Sequence, residues 1–251
     1  MVVALNPVVF RSTPPVPWVV QWTTDIIDPH QVRCATFGLP YRDEQPIDAP
    51  RREFNHLEKG SFSWALKKQW GIASADDAEL ITESILNYGI HSPIFDAFLP
   101  FTKSGGDAVA YERFLSDYYQ QNNLDSTELI RWFRRWVQVL NQPMFKAVAP
   151  FELPTTTIAW DIMRLEVTAG CPFSLGMISQ QQYLAYAARS VEILQAHFSS
   201  WYQVALSFWW GRAMWLADEA HEPENFVEYN NILGTALSHP DSPWLKVPLQ
   251  D

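Results

Sequence analysis

Glycine is scarce in this chain, at 10 of 251 residues, about 4% where ~7% is usual. That scarcity weighs against a fold built on glycine-rich phosphate loops or on many tight hairpins. Cysteine is rarer still. Cys34 and Cys171 lie far apart and form no CxxC, which reads as free thiols in a reduced, cytoplasmic chain. Basic residues are outnumbered, 18 Lys+Arg against 28 Asp+Glu, for a net charge of −10. A general nucleic-acid binder needs the opposite balance. No apolar run approaches the roughly 18 residues of a membrane span, and no membrane partner is expected. Met1 to Pro7 lacks a basic stretch followed by an apolar one, so no secretory signal is read there. Catalytic signatures are missing too: no G-x-S-x-G, Walker loop, G-x-G-x-x-G or H-E-x-x-H. The six histidines show no metal-ligand spacing with the cysteines, and neither a metal nor a cofactor is expected.

What the chain has in quantity is aromatic residues and proline: 12 Trp, 9 Tyr, 15 Phe and 18 Pro. Prolines 7, 14, 15, 17, 29, 40, 46 and 50 punctuate residues 1–60, a spacing that no long helix survives. That segment carries too many rings for a loose tail and reads as a proline-rich wrap on the body, with Val16 to Trp22 as one extended piece. Residues 61–251 read as the helical domain. Ser61 or Ser63 opens a helix through Trp70, closed by Gly71, and Ser74 with Asp77 opens another whose stripe is Ala78, Ile81, Ile85 and Tyr88. Helices follow at about 92–99 and 107–121. Asp125-Ser126-Thr127-Glu128 starts one with Leu129, Phe133, Trp136 and Leu140 inward, which Pro143 ends. Pro150 and Pro154 mark a connector, and a subdomain boundary is placed near 142–154. Thr155 to Ala169 reads as a helix stopped by Gly170. Ser179 caps a long helix with Leu184, Ala188, Val191 and Gln195 on one side, and Ser199 to Ala217 continues helical. Pro223 opens a last helix to about Leu237, and the tail from Pro240 reads as coil. The expected fold is all-α, an irregular globular bundle of eight or nine helices.

Four clusters could carry chemistry. Asp218 to Glu224 concentrates acids, with Glu219 and Glu222 as outside candidates for a divalent ion, although acids at a helix start need only the helix dipole. Arg131, Arg134 and Arg135 share a face beside Trp132, yet Glu128 is three residues from Arg131 and an ordinary surface pair accounts for them. Ser104-Gly105-Gly106-Asp107 reads as a helix-entry turn. The more informative set is Trp160, Asp161 and Arg164, three apart on one buried helix, with Ser200, Trp201, Arg212 and Trp215 downstream. Charges among so many rings must be paired, because an unpaired buried ion costs several kcal/mol. These residues form either a structural network that fixes helix register, the preferred reading, or a pocket whose arginines grip a carboxylate or phosphate.

At those residues the chain resembles a known family. Ala159-Trp160-Asp161-x-x-Arg164, Gly176-x-Ile178-Ser179, Phe198-x-Ser200-Trp201 and Gly211-Arg212-x-x-Trp215 follow in order, with Trp64-x-Leu66-x-x-x-Trp70-Gly71-Ile72 upstream. Together, over about residues 62–217, they resemble the bacterial YbeU/YbeR-type family of unknown function (domain of unknown function 1266). Between the Trp-Asp and Gly-x-Ile-Ser elements this chain has Glu166 and a Cys171-Pro172 turn. The resemblance implies a bacterial, cytoplasmic, helical protein and supplies no activity. From the charge and the absent motifs, the expected role is a non-catalytic protein–protein interaction, with neutralisation of a basic toxin by an immunity protein as its concrete form. The alternative is an enzyme or small-molecule sensor built on the Asp161, Arg164, Ser200 and Arg212 set.

Overall fold

The computed structural model describes residues 28–41, 56–217, 224–240 and 242–250. Among them are eight α-helices of at least eight residues, several shorter ones and no strand. In chain order they are α1 (Pro29–Thr36), α2 (His56–Trp70), α3 (Ala75–Tyr88), α4 (Ser92–Asp96), α5 (Leu99–Ser104), α6 (Ala108–Gln121), α7 (Thr127–Leu140), α8 (Pro143–Val148), α9 (Ile158–Met163), α10 (Cys171–Ser174), α11 (Gln180–His197), α12 (Trp201–Leu216), α13 (Glu224–Ser238) and α14 (Pro243–Lys246). The expected all-α class is what the chain adopts.

Proline is used here to begin helices more than to prevent them. Pro29, Pro93, Pro100, Pro143, Pro172 and Pro243 each occupy a first turn, where an N–H would have no intrahelical acceptor anyway. Two expectations fail for this reason. Residues 1–60 are not uniformly loop-like, since Asp28 accepts from the His30 amide at 2.9 Å and starts α1. The tail after Pro240 contains α14, capped by Ser242. Likewise Pro143 opens α8, and the proline-free stretch before Trp70 is helical from His56, well upstream of Ser61 and Ser63. Helix-forming sequence also divides at 92–104, where two short helices replace one. The extended piece at Val16 to Trp22 and the start of the last helix at Pro223 lie outside the described residues.

Caps with a side-chain acceptor formed where expected. Ser74 accepts from the Asp77 amide, and Asp77 accepts in turn from the Ala73 amide. Gly89 closes α3 at φ 66°. Ser179 and Gln182 form a reciprocal capping box on α11. Ser179→Ala should therefore cost about 1 kcal/mol, read as a lower urea midpoint with an unchanged slope. Faces were less legible. Tyr88 is 79% exposed, and α11 buries Tyr183, Tyr186, Ala187 and Leu194 while Leu184 stays half exposed. Nor does Gly170 stop the helix it was expected to stop. The chain passes from α9 through a wide π turn, Glu166–Gly170, straight into α10, and turns at Gly176 with φ 75°.

The core forms around α12, which is buried on every side (Val204, Phe208, Trp209, Ala213, Met214), as an all-round apolar helix must be. It packs most extensively on α9. Gly211 is what permits the close crossing, because a Cβ there would lie 2.3 Å from the Trp160 Cβ. On the other side of α11, Arg33 of α1 donates to the carbonyls of Pro248 and Gln250, and Gln250 donates back to the carbonyls of Gln195 and Phe198. Residues 28–41 and the C-terminal segment thus hold each other against α11 and α12.

Candidate functional site

Asp161 sits in the middle of α9 with no exposed surface. Its carboxylate accepts from three consecutive backbone amides at the start of α4: Ile90 at 3.0 Å, His91 at 3.0 Å and Ser92 at 2.7 Å. Arg164, one turn later, donates its Nη2 to the same group. Gly89 makes the approach feasible, since a Cβ there would stand 2.9 Å from Asp161 Oδ2 and 2.5 Å from the Ser92 hydroxyl. The two helices clasp each other, because Asp96 of α4 accepts from the amide and hydroxyl of Thr157 and the hydroxyl of Thr156 just before α9. Burial by itself would raise the Asp161 pKa. The His91 and Ser92 amides and the Arg164 charge overcome it and hold the carboxyl well below its ordinary range.

Arg164 is 4% exposed. Its guanidinium stacks between Trp70 and Trp160, with Cζ 5.1 and 4.9 Å from the ring centroids. Nη2 also lies 2.8 Å from His91 Nδ1. A guanidinium can only donate, so Nδ1 accepts and the His91 proton sits on Nε2. Nδ1 is 3.7 Å from Asp161, beyond hydrogen-bond range. Arg212, on α12, has no acidic partner among the described residues. It is held instead by ring faces, Trp160 at 5.3 Å, Trp215 at 4.8 Å and Tyr229 at 4.7 Å.

Trp70, His91, Trp160, Arg164, Arg212 and Trp215 line a cavity of about 570 Å³, together with Tyr41, Gln69, Ile90 and Val167. Four polar groups around it are buried without a hydrogen-bond partner among the described residues: Arg164 Nε, Arg212 Nε, Trp160 Nε1 and the Tyr41 hydroxyl. Most buried polar groups in proteins are satisfied, so a cluster of orphans requires an explanation. All four can donate. Burial pushes the Tyr41 pKa up, with the Tyr229 oxygen adding to it and Arg212 opposing, which keeps the phenol protonated and able to donate. Asp161 does not line the cavity but balances Arg164, so the lining is left with the positive charge of Arg212 unbalanced among the described residues. Glu166 is buried nearby, but it accepts from Tyr183 at 3.1 Å and does not line the cavity.

Of the residues singled out from sequence, Trp160, Asp161, Arg164, Arg212 and Trp215 converge here. Ser200 and Trp201 do not. Ser200 caps α12 by accepting from the Gln203 amide, and Arg212 is twelve residues along that helix, about 18 Å of rise away. Trp201 stacks on Trp244 at 4.8 Å and donates to the Val247 carbonyl, which makes it part of the C-terminal clasp. Tyr41, Trp70 and His91 were missed. The only sequence signal for any of them was Trp70, in the Trp70-Gly71-Ile72 element.

The other candidates are plainer. Arg131 pairs with Glu128 at 2.6 Å, and Arg134 forks onto Glu112 at 2.7 and 2.8 Å, on an open cleft between α6 and α7. Exposed pairs of this kind contribute little. Glu219 and Glu222 lie outside the described residues. Among the described residues no group of three His, Cys, Asp or Glu could hold a metal ion. Cys34 and Cys171 are both buried and form no disulfide, and burial, with the Asp28 and Glu192 charges, pushes the Cys34 thiol up to about 11.

The model of a family described as "Protein of unknown function (DUF1266)" matches residues 65–249. That span contains every residue of the cavity except Tyr41. No curated protein and no solved structure matches the chain. No helix among the described residues is long and apolar enough to cross a membrane.

Proposed function

The chain belongs to the DUF1266 family, whose description carries no activity, and from the site itself we propose that the protein binds a small anionic molecule in the cavity between α9 and α12. The observation that carries this is the surplus guanidinium: Arg164 and Arg212 both line the cavity, only Arg164 has a carboxylate beside it (Asp161, outside the lining), and donors that lack acceptors edge the same space. Arg212 is half-buried with no counter-charge beside it among the described residues, and an anion would supply that charge along with acceptor oxygens for the orphaned N–H groups. Recognition is favoured over turnover. Asp161 is saturated by three amides and a guanidinium, which makes it a poor base, and the cavity lining presents no nucleophile beside a base.

Thermal unfolding in the presence of acetate, benzoate, phosphate or sulfate tests the reading. At least one of these anions should raise the Tm with increasing concentration, and Arg212→Ala should weaken that response tenfold or more. A Tm indifferent to all four would refute it.

A bacterial source, the narrower YbeU/YbeR-type grouping, a cytoplasmic location and partnership with a basic toxin are proposals resting on the sequence alone. The −10 charge supports the last of these. Co-expression with candidate toxins should restore growth if the partnership exists.

A further inference from the structure

We infer that the ligand of this cavity is an aromatic monocarboxylate, an inference that rests on the anion-binding reading above and narrows it. Charge comes first. The lining is in surplus by one positive charge. A carboxylate cancels that surplus, whereas a phosphate monoester, at about −1.5 to −2 near neutral pH, overshoots it.

The geometry of the arginines points the same way. Ring faces cover both guanidiniums: Trp70 and Trp160 flank Arg164, and Trp160, Trp215 and Tyr229 surround Arg212. What the rings do not satisfy is the N–H edge, and in each guanidinium Nε is a buried donor without a partner among the described residues. An edge-on guanidinium is a planar fork, and a planar carboxylate matches it with two parallel hydrogen bonds. The remaining orphans, Trp160 Nε1 and the Tyr41 hydroxyl, add donors and so select an end group made of bare oxygens.

The body of the ligand follows from the rest of the wall. About 570 Å³ is far more than one carboxylate fills and falls in the ~300–1,000 Å³ range of small-molecule sites. Besides the arginines, the wall holds Ile90, Val167 and the indoles of Trp70, Trp160 and Trp215, with Tyr41, Gln69 and His91 as its other polar members. Apolar and indole surfaces favour a flat, apolar body of one or two fused rings.

Binding of 2-naphthoate to the full chain, followed by calorimetry and by quenching of tryptophan fluorescence, tests this against three matched probes. Expected is saturable binding of 2-naphthoate, with 2-naphthamide, 2-naphthyl phosphate and acetate each at least tenfold weaker. Arg212→Gln should lose at least tenfold in affinity for 2-naphthoate. Arg212→Lys, which keeps the charge and loses the fork, should fall between it and the parent, and circular dichroism confirms that both variants are folded. Naphthyl phosphate binding as tightly as naphthoate overturns the carboxylate assignment and leaves the anion site standing. Acetate binding as tightly as naphthoate overturns the aromatic body alone. Naphthamide equal to naphthoate, or no binding by any probe, overturns both this inference and the anion-binding reading.

Discussion

Asp161→Ala is expected to remove about 3–5 kcal/mol of unfolding free energy, the usual cost of breaking a buried ion pair from one side. Two consequences add up in that loss. Arg164, 4% exposed, keeps its charge with no carboxylate beside it, and the amides of Ile90, His91 and Ser92 lose their shared acceptor. Each buried donor left unsatisfied costs about 1–3 kcal/mol on its own. Urea unfolding followed by circular dichroism reads the change as a lower midpoint. A loss below about 1 kcal/mol would mean that the α4–α9 clasp is held by Asp96 alone. Asp161→Asn separates charge from shape. It keeps the volume and one oxygen but turns an NH2 toward donors, so it should be nearly as damaging as alanine.

The same residue sets an acid limit. Its folded pKa lies below the ordinary carboxylate value, so the unfolded chain binds the proton more readily. Its contribution is therefore fully present above the unfolded value of about 3.9 and is lost as pH falls from there through the folded value. Stability measured from pH 7 down to pH 2 should be flat, as far as this group is concerned, to about pH 5 and then decline. Glu83, Glu112, Asp77 and Asp125 are shifted in the same direction but are common to parent and Asp161→Asn. The difference between the two curves isolates Asp161, and it should shrink as the pH falls. A difference constant with pH would mean that folding leaves the Asp161 pKa at its unfolded value.

Local chemistry is what the sequence shows plainly. Ser74, Ser179 and Gly89 mark helix ends because their partners lie within four residues, and those ends formed. Asp161 and Arg164 were legible together for the same reason: at i and i+3 on an apolar helix they can neutralise only each other or a neighbour. The cavity is another matter. Tyr41, Trp70 and His91 reach it from segments separated by up to 174 positions (215 − 41) from Trp215, and no pattern along the chain brings them together. Ser200 shows the opposite error. Its surroundings in sequence are aromatic, yet one helix length separates it from Arg212. Asp161 has both oxygens engaged, whereas Arg212 has no acidic partner among the described residues. Whether an arginine among rings has a carboxylate beside it is decided by tertiary contacts.

Gly211→Ala should destabilise the fold by about 2 kcal/mol, a typical overpacking cost, even though alanine is the better helix former by about 1 kcal/mol. The added methyl would meet Trp160 at its Cβ, 2.3 Å away, and at Cγ, 2.8 Å away. Those atoms are fixed to the backbone of α9 and cannot swing aside as the end of a flexible side chain would, so the α9–α12 crossing must open. Trp160 is also the ring that both arginines share. Opening the crossing should therefore loosen both stacks and weaken anion binding in the same variant. Gly106→Ala is the matched control, since its nearest neighbour would be the Ser104 hydroxyl at 3.7 Å, and its Tm should stay within a degree or two of the parent (about 0.5 kcal/mol). The two effects of Gly211→Ala should move together, a lower Tm and a weaker response to benzoate. A variant that lost stability but kept full anion response would show that the arginines are positioned by Trp70, Trp215 and Tyr229 without Trp160.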